Sequence, residues 1–312
     1  MPELLVGDRH LSVETGSNLL DALLGAGIAV PYSCRAGSCQ ACMVRCLAGD
    51  PLDAQPDALS RQRREEGWHL ACQCRVLEDL HVQVFDPASD GIPAQIQACD
   101  WLSEHVLRVR LAPQQPLRYR AGQHLLLWTA DGIARPYSLA SLPEEDAYLE
   151  FHLDCRQPGA FSDAARHFQV GELLRLGALS GGALHYDSGW QTRPLWLLGT
   201  GTGLAPLYAV LREALRQAHQ GPIRVMHVAR LPGDHYLAQA LLDLASRHSQ
   251  LDVELVEAAT LPERLATLRP ASRQTIAMLC GRPETVDLIA RRLYLAGLPR
   301  SQLFADLFVP HA

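Results

Sequence analysis

The sequence predicts three consecutive modules of different class: a small α+β unit at residues 1–86, an antiparallel β-barrel at 94–190, and an α/β unit with a parallel sheet at 191–312. A linker at 87–93 separates the first two. Three observations carry this prediction. In the first module, short alternating stretches and one helical stretch precede a cluster of cysteines. In the second, strand-forming runs are punctuated by Gly and Pro at short intervals, the pattern of a small barrel. In the third, short apolar runs alternate with amphipathic helical patterns, as in a parallel sheet covered by helices.

The first module opens with the alternating stretch LLVGDRHLSVET and a predicted helix at NLLDALLGAG. PYSCRAGSCQAC follows, then WHLACQC, so Cys34, Cys39, Cys42 and Cys72 are spaced C-x4-C-x2-C, 29 residues, C. Three thiolates within nine residues can wrap one metal centre only in a tight loop. Gly37 supplies permissive backbone there, and small Ala36, Ser38 and Ala41 let amides approach the sulfurs. A [2Fe–2S] cluster suits this spacing. The rival is a zinc site built from Cys39, Cys42, Cys72 and Cys74, since C-x2-C is also a zinc spacing. Cys46, Cys74, Cys99 and Cys155 are otherwise expected as small buried apolar residues.

Composition narrows the function classes. All 28 basic residues are Arg, which excludes a Walker A lysine, a Schiff-base lysine and any other catalytic lysine. Residues 1–90 hold 7 Arg against 13 Asp or Glu, so the net charge of −6 sits on the cysteine-rich module. With no basic stripe, no nucleic-acid partner is expected. A partner with a basic face and a merely solvated acidic surface explain the charge equally well. Nine cysteines, odd in number and unevenly placed, argue against a disulfide framework. The start MPELLVGDRH lacks a signal-peptide pattern and no apolar run could span a bilayer, so a cytoplasmic protein without membrane contact is expected. Oligomeric state is not legible.

The connector DPASDGIP is rich in Pro, Gly and Asp and leaves the first module room to swing. In the second module, HVLRVRLA, QHLLLWTA and AYLEFHLD are strands. In the third, LWLL, IRVMHV, LDVELV and TIAMLC are strands, and LAPLYAVLREALRQAHQG is a helix with Leu204, Leu207, Leu211, Leu215 and Ala218 on one face, ended by Gly221.

Six resemblances extend the reading. Residues 1–86 resemble plant-type [2Fe–2S] ferredoxin domains, which implies a β-grasp, ferredoxin-like fold and cluster ligation by Cys34, Cys39, Cys42 and Cys72. Gln40 departs from the Gly or Ser common after the second clustered cysteine. Arg135-Pro136-Tyr137-Ser138 resembles the R-x-Y-S motif of the ferredoxin–NADP reductase superfamily. That implies Arg on a flavin phosphate, Tyr beside the isoalloxazine and Ser near N5. Pro158-Gly159-Ala160-Phe161-Ser162 resembles the family's G-x-x-S segment, placing Gly159 and Ser162 at the pyrophosphate. The strand–turn–helix GTGTGLAP, with Gly199, Gly201, Thr202, Gly203 and Pro206, resembles its nucleotide loop in a Rossmann-like domain. Cys280-Gly281-Arg282-Pro283 resembles its C-G-x-P motif, with Cys280 near the nicotinamide. QLFADLF resembles its closing segment and maps an acidic residue to Asp306 and a flavin-covering ring to Phe308. Asp stands where Glu is common, and VPHA follows Phe308.

Together the modules resemble NADH-dependent reductase components of bacterial oxygenases. The resemblance implies FAD rather than FMN, and an NAD(P)H-dependent enzyme that passes electrons to a protein acceptor such as an oxygenase component. Arg230 alone after IRVMHV, followed by Asp234, points to NADH, with NADPH the alternative. A nicotinamide gives two electrons as hydride and a cluster takes one at a time, so the flavin must lie between them. Ser138, Cys280, Asp306 and Phe308 are the residues expected at the reacting centre. Two other functions stay open: supply of electrons to sugar deoxygenation, and a non-catalytic redox-sensing or zinc-stabilised interaction module.

Overall fold

The computed structural model describes residues 1–32, 34–37 and 39–309. Ser38 of the cysteine loop and the last three residues of the VPHA tail lie outside the described residues.

In the first module, β1 (Glu3–Val6) and β2 (Arg9–Ser12) form a hairpin, and α1 (Leu19–Gly25) follows. The helix starts where Asn18 accepts a hydrogen bond from Asp21 N, and its Leu19, Leu20 and Leu23 are wholly buried. The chain then gives β3 (Met43–Ala48), β4 (Leu52–Asp53), α2 (Arg61–Glu65), β5 (Trp68–Leu70), β6 (Cys74–Arg75) and β7 (Leu80–Val84). The main sheet has the order β2-β1-β7-β3-β5, with β1 and β7 parallel. Leu4, Val44 and Val82 of the sheet pack with the α1 leucines, giving the α+β, β-grasp layout.

The connector is more ordered than its composition suggests. Asp86 caps a single helical turn, α3 (Pro87–Asp90), by accepting from Ala88 N. Residues 92 and 93 already belong to β8 (Ile92–Trp101). The barrel continues through β9 (Val106–Pro113), β10 (His124–Trp128), β11 (Ala134–Ser138), β12 (Leu149–Asp154), α4 (Ala160–Ala165) and β13 (Leu173–Ser180). The sheet order is β11-β10-β13-β8-β9-β12, every pair antiparallel. A bridge from Leu139 to Phe151 joins the two outer strands and closes the barrel over a core that includes Ile96, Leu111, Leu125 and Phe151.

The third module is a parallel sheet. Its elements are β14 (Leu195–Thr200), α5 (Leu204–Arg216), β15 (Ile223–Ala229), α6 (Ala238–Arg247), β16 (Leu251–Glu257), α7 (Leu261–Thr267), β17 (Ile276–Gly281), α8 (Pro283–Leu295) and β18 (Leu303–Leu307), with sheet order β16-β15-β14-β17-β18. The end of α5 corrects the sequence reading. The helix stops at Arg216 because Ala218 takes a left-handed conformation, φ 55°, and His219 N reaches back to Ala214 O. Gly221 serves close packing instead, since a Cβ there would lie 2.3 Å from Arg193 O. No helix among the described residues is long and apolar enough to cross a membrane.

Candidate active site: a cleft where three modules meet

The cysteine loop is held in an unusual backbone shape. Arg35, Gly37 and Gln40 have φ of 52°, 82° and 53°, two of them at a cost that only tight surroundings sustain. That shape turns amides inward. Ala36 N and Cys39 N each donate to Cys34 Sγ at 3.3 Å, and Gln73 Nε2 donates to Cys72 Sγ at 3.3 Å. Cys42 donates to Cys72, which holds the Cys72 thiol down at about 7 and pushes Cys42 up; Cys39 is pushed up by its bond to Cys34. Two hydrogen-bonded sulfur pairs, Cys34 with Cys39 and Cys42 with Cys72, with N–H donors aimed at them, suit a [2Fe–2S] cluster. Cys74, which the zinc alternative needed, belongs elsewhere: its sulfur groups with Asp53 and His69. Cys74 and Cys155 are buried as expected, whereas Cys46 and Cys99 are only partly so.

Cys34 and Cys39 open onto a cleft of about 660 Å³ between the modules. Arg135, Pro136, Tyr137 and Ser138 line it from β11, a strand rather than the turn after one. Gly159 and Ser162 line it at the start of α4, where Ser162 Oγ donates to Gln157 O and Gly159 O. Gly201 and Thr202 line it from the turn after β14, and Asp306 and Phe308 from the end of β18. Ten of the residues singled out in the second and third modules thus share one cavity with two of the cysteines.

Pro158, Ala160, Phe161, Arg230, Asp234 and Arg282 line it too, whereas other motif residues stand behind this surface. Gly199, Gly203 and Pro206 do not line the cleft. A Cβ on Gly199 would meet Leu204 N at 3.1 Å, and one on Gly203 would meet Cys280 O at 2.3 Å. These glycines let the turn pack against helix and neighbouring strand, while Gly201, φ 53° with open space beyond, faces the cavity. Gly281 is equally tight, its Cβ position 2.1 Å from Thr200 Oγ1. Cys280 is wholly buried, its thiol pushed well up by burial, and sits beside Asp306 in the β17–β18 register. Cys42 and Cys72 do not line the cavity either.

Asp306 is a carboxyl of the cleft raised by its surroundings. Burial pushes it above the usual carboxylate range, and only partly does the nearby His124 pull it down. His124 escaped the sequence reading. It is 7% exposed, its Nε2 has no hydrogen-bond partner, and it faces the cavity. The β10–β11 register sets it opposite Ser138, a juxtaposition no local pattern reveals. An orphaned donor or acceptor beside Ser138 suits the polar edge of a flavin ring.

Side chains missed in the sequence also tie the two walls. Arg156 pairs with Asp234 at 2.8 Å, and Tyr236 OH donates to His152 Nδ1 at 3.2 Å. Burial holds His152 neutral, so its Nε2–H donates to Glu150 Oε1 at 3.0 Å. Arg212 pairs with Asp146 at 2.7 Å. Of these residues only Asp234, after Arg230, stands out in the sequence.

This cleft, with a cysteine cradle on one side and a glycine turn on the other, is that of a flavin- and nicotinamide-dependent iron–sulfur oxidoreductase. Comparison with known proteins agrees module by module. The 2Fe-2S iron-sulfur cluster binding domain family matches residues 6–77, the oxidoreductase FAD-binding domain 95–186, and the oxidoreductase NAD-binding domain 197–290. The reductase component of naphthalene 1,2-dioxygenase/salicylate 5-hydroxylase systems from Ralstonia sp is 32% identical over 96% of both chains. The corresponding component of the naphthalene 1,2-dioxygenase system of Pseudomonas putida is 30% identical over 99% of both. Among solved structures, a ferredoxin reductase in carbazole 1,9a-dioxygenase superposes with a TM-score of 0.66, at 26% identity over 98% of both chains. The chain belongs to the ferredoxin–NAD(P)+ reductase family of oxygenase systems. It is an NAD(P)H-dependent enzyme using FAD and a [2Fe–2S] cluster.

Proposed function

We propose that this reductase supplies an oxygenase component with single electrons, and that the shared cleft is where the two-electron and one-electron halves of its chemistry meet. The observation that carries this reading is the presence of Cys34 and Cys39 in the same cavity as Ser138 and Asp306. FAD, when bound, accepts a hydride from the nicotinamide and releases electrons singly toward the [2Fe–2S] cluster.

Each residue then has a role. Arg135 supplies fixed positive charge for a flavin phosphate, Pro136 holds the strand edge, and Tyr137, half-buried against Phe161, fixes the ring plane. Ser138 offers a hydroxyl at the reacting edge. Gly159 and Ser162 receive the pyrophosphate of the flavin, and Gly201 and Thr202 that of the dinucleotide. Gly199, Gly203, Pro206 and Gly281 shape that turn. Phe308 covers the cavity, excluding water while the nicotinamide is away. Asp306, protonated more readily than an ordinary carboxyl, holds a proton near the reacting centre, and Cys280 backs it. Cys34, Cys39, Cys42 and Cys72 ligate the cluster. The turn after β15 carries Arg230 but also Asp234, and an acid there suits a ribose hydroxyl, so NADH is the proposed donor.

The relatives named above serve oxygenases, which favours that acceptor over a sugar-deoxygenating enzyme. The acidic first module favours a basic face on the acceptor. Cys72→Ser tests the path. It should abolish delivery to a one-electron protein acceptor while NADH still bleaches the flavin, and retained delivery would sink the assignment.

A further inference from the structure

Gln40 sits beside a cluster ligand in a conformation that costs a non-glycine residue energy, φ 53°. Its side chain makes bonds that a glycine there could not. Gln40 Nε2 donates to Ala58 O at 2.7 Å within its own module. Its Oε1 accepts from Ser180 Oγ of the barrel at 2.7 Å. Arg63 reinforces the bridge by donating to Leu179 O at 3.2 Å, also across the junction. Around these bonds Ala41, Leu126, Trp128 and Ala134 form a buried apolar patch, with Phe85 stacked on Trp128 at 5.7 Å and 22°.

The strand register gives the bridge its meaning. Ser180 of β13 lies opposite His124 of β10, and His124 lies opposite Ser138 of β11. The three residues form one row across adjacent strands, so Gln40 fastens the cysteine loop about 10 Å, two strand spacings, from Ser138. We propose that Gln40 is a positioning residue: through Ser180 it docks the iron–sulfur module on the barrel in the register that electron transfer from flavin to cluster requires. This rests on the electron path proposed above, in which each NAD(P)H delivers two electrons to the flavin and these leave one at a time to the oxidised cluster. Gln40 carries no electron and touches no substrate.

Three variants of the holoenzyme test the proposal. Gln40→Gly suits the backbone and removes the bridge. Ser180→Ala removes the donor from the far side. The double variant, Gln40→Gly with Ser180→Ala, reads the coupling between the two side chains. Anaerobic stopped-flow with NADH reads flavin and cluster bleaching separately, and hydrogen exchange reads opening of the junction at Leu126–Trp128 and Gly177–Ser180. Gln40→Gly and Ser180→Ala should leave flavin bleaching unchanged, slow cluster bleaching, and raise exchange at the junction by about twofold to tenfold, the worth of one hydrogen bond. The double variant should be no worse than either single. Should Gln40→Gly fail to take up a cluster, Ser180→Ala, remote from the ligands, carries the test. Cluster bleaching at the parent rate with unchanged exchange in Ser180→Ala would overturn the proposal. So would additive effects in the double variant. Failure of NADH to bleach the flavin in the parent would overturn the electron path instead, and the exchange measurements would still judge the bridge.

Discussion

Replacing Gly203 by Ala should unseat the nucleotide-binding turn without touching any atom that faces the cleft. The added Cβ would stand 2.3 Å from Cys280 O, 2.5 Å from Cys280 C and 2.7 Å from Gly281 N. All three are backbone atoms of β17 and its exit, hydrogen-bonded into the sheet between β14 and β18. Relief to a bearable 3.0 Å demands a shift of about 0.7 Å between turn and strand. Overpacking of this kind costs about 1–3 kcal/mol, and an obstacle of rigid backbone belongs at the upper end. Gly201→Ala is the matched control. Its Cβ meets nothing within 4 Å, so only the left-handed backbone, φ 53°, is penalised, at about 1–2 kcal/mol. Urea unfolding of the third module and the KM for NADH separate the two. Gly203→Ala should lose more stability than Gly201→Ala, while Gly201→Ala, whose methyl enters the cavity, should raise KM the more. Equal stability of the two variants would refute the packing argument, because it would mean the turn relaxes away from Cys280 at no cost.

Two further predictions concern protons. Asp306 has its carboxyl raised by burial, so flavin bleaching by NADH should carry a limb above the usual carboxylate range. In Asp306→Asn that limb should vanish in a stopped-flow pH series, and an identical limb would remove Asp306 from the reacting centre. His227 donates Nε2–H to Gly201 O and meets His235 Nδ1 at 3.1 Å. Burial first, and the charge of His235 second, depress it from 6.5 to about 4. A depressed folded value means its stabilisation is complete above pH 6.5 and lost as pH falls to 4, up to about 3 kcal/mol by linkage. Urea midpoints across that window should fall steeply in the parent and less so in His227→Gln.

Motifs read well from sequence where the chemistry depends on consecutive residues. Cys34 and Cys39, the strand Arg135–Ser138 and the turn Gly201–Thr202 reach the cleft because each belongs to a short local pattern with its own backbone requirement. Strand positions in the barrel and the parallel sheet were legible for the same reason, through alternation and apolar runs. What was not legible depends on register. His124 faces the cleft because it lies opposite Ser138, and Arg156 reaches Asp234 across 78 positions of sequence. The glycine motif misled in part. Gly199 and Gly203 looked like places for a phosphate, but packing against Leu204 and Cys280 is what demands them. The end of α5 misled too, since Ala218 takes the left-handed role usually left to glycine.

The connector's anatomy has a consequence for anyone wishing to exchange modules between reductases. Phe85 belongs to the first module by sequence and to the barrel by its stacking on Trp128. Asp86 caps the single helical turn, and Ile92 and Pro93 already pair with Leu176 and Arg175. There is no neutral seam between residues 85 and 93 at which one donor's chain can be cut and another's spliced in. A chimera joined after Phe85 would lose the aromatic partner of Trp128 unless the incoming module brought its own, and one joined beyond Ile92 would begin its barrel with a foreign first strand.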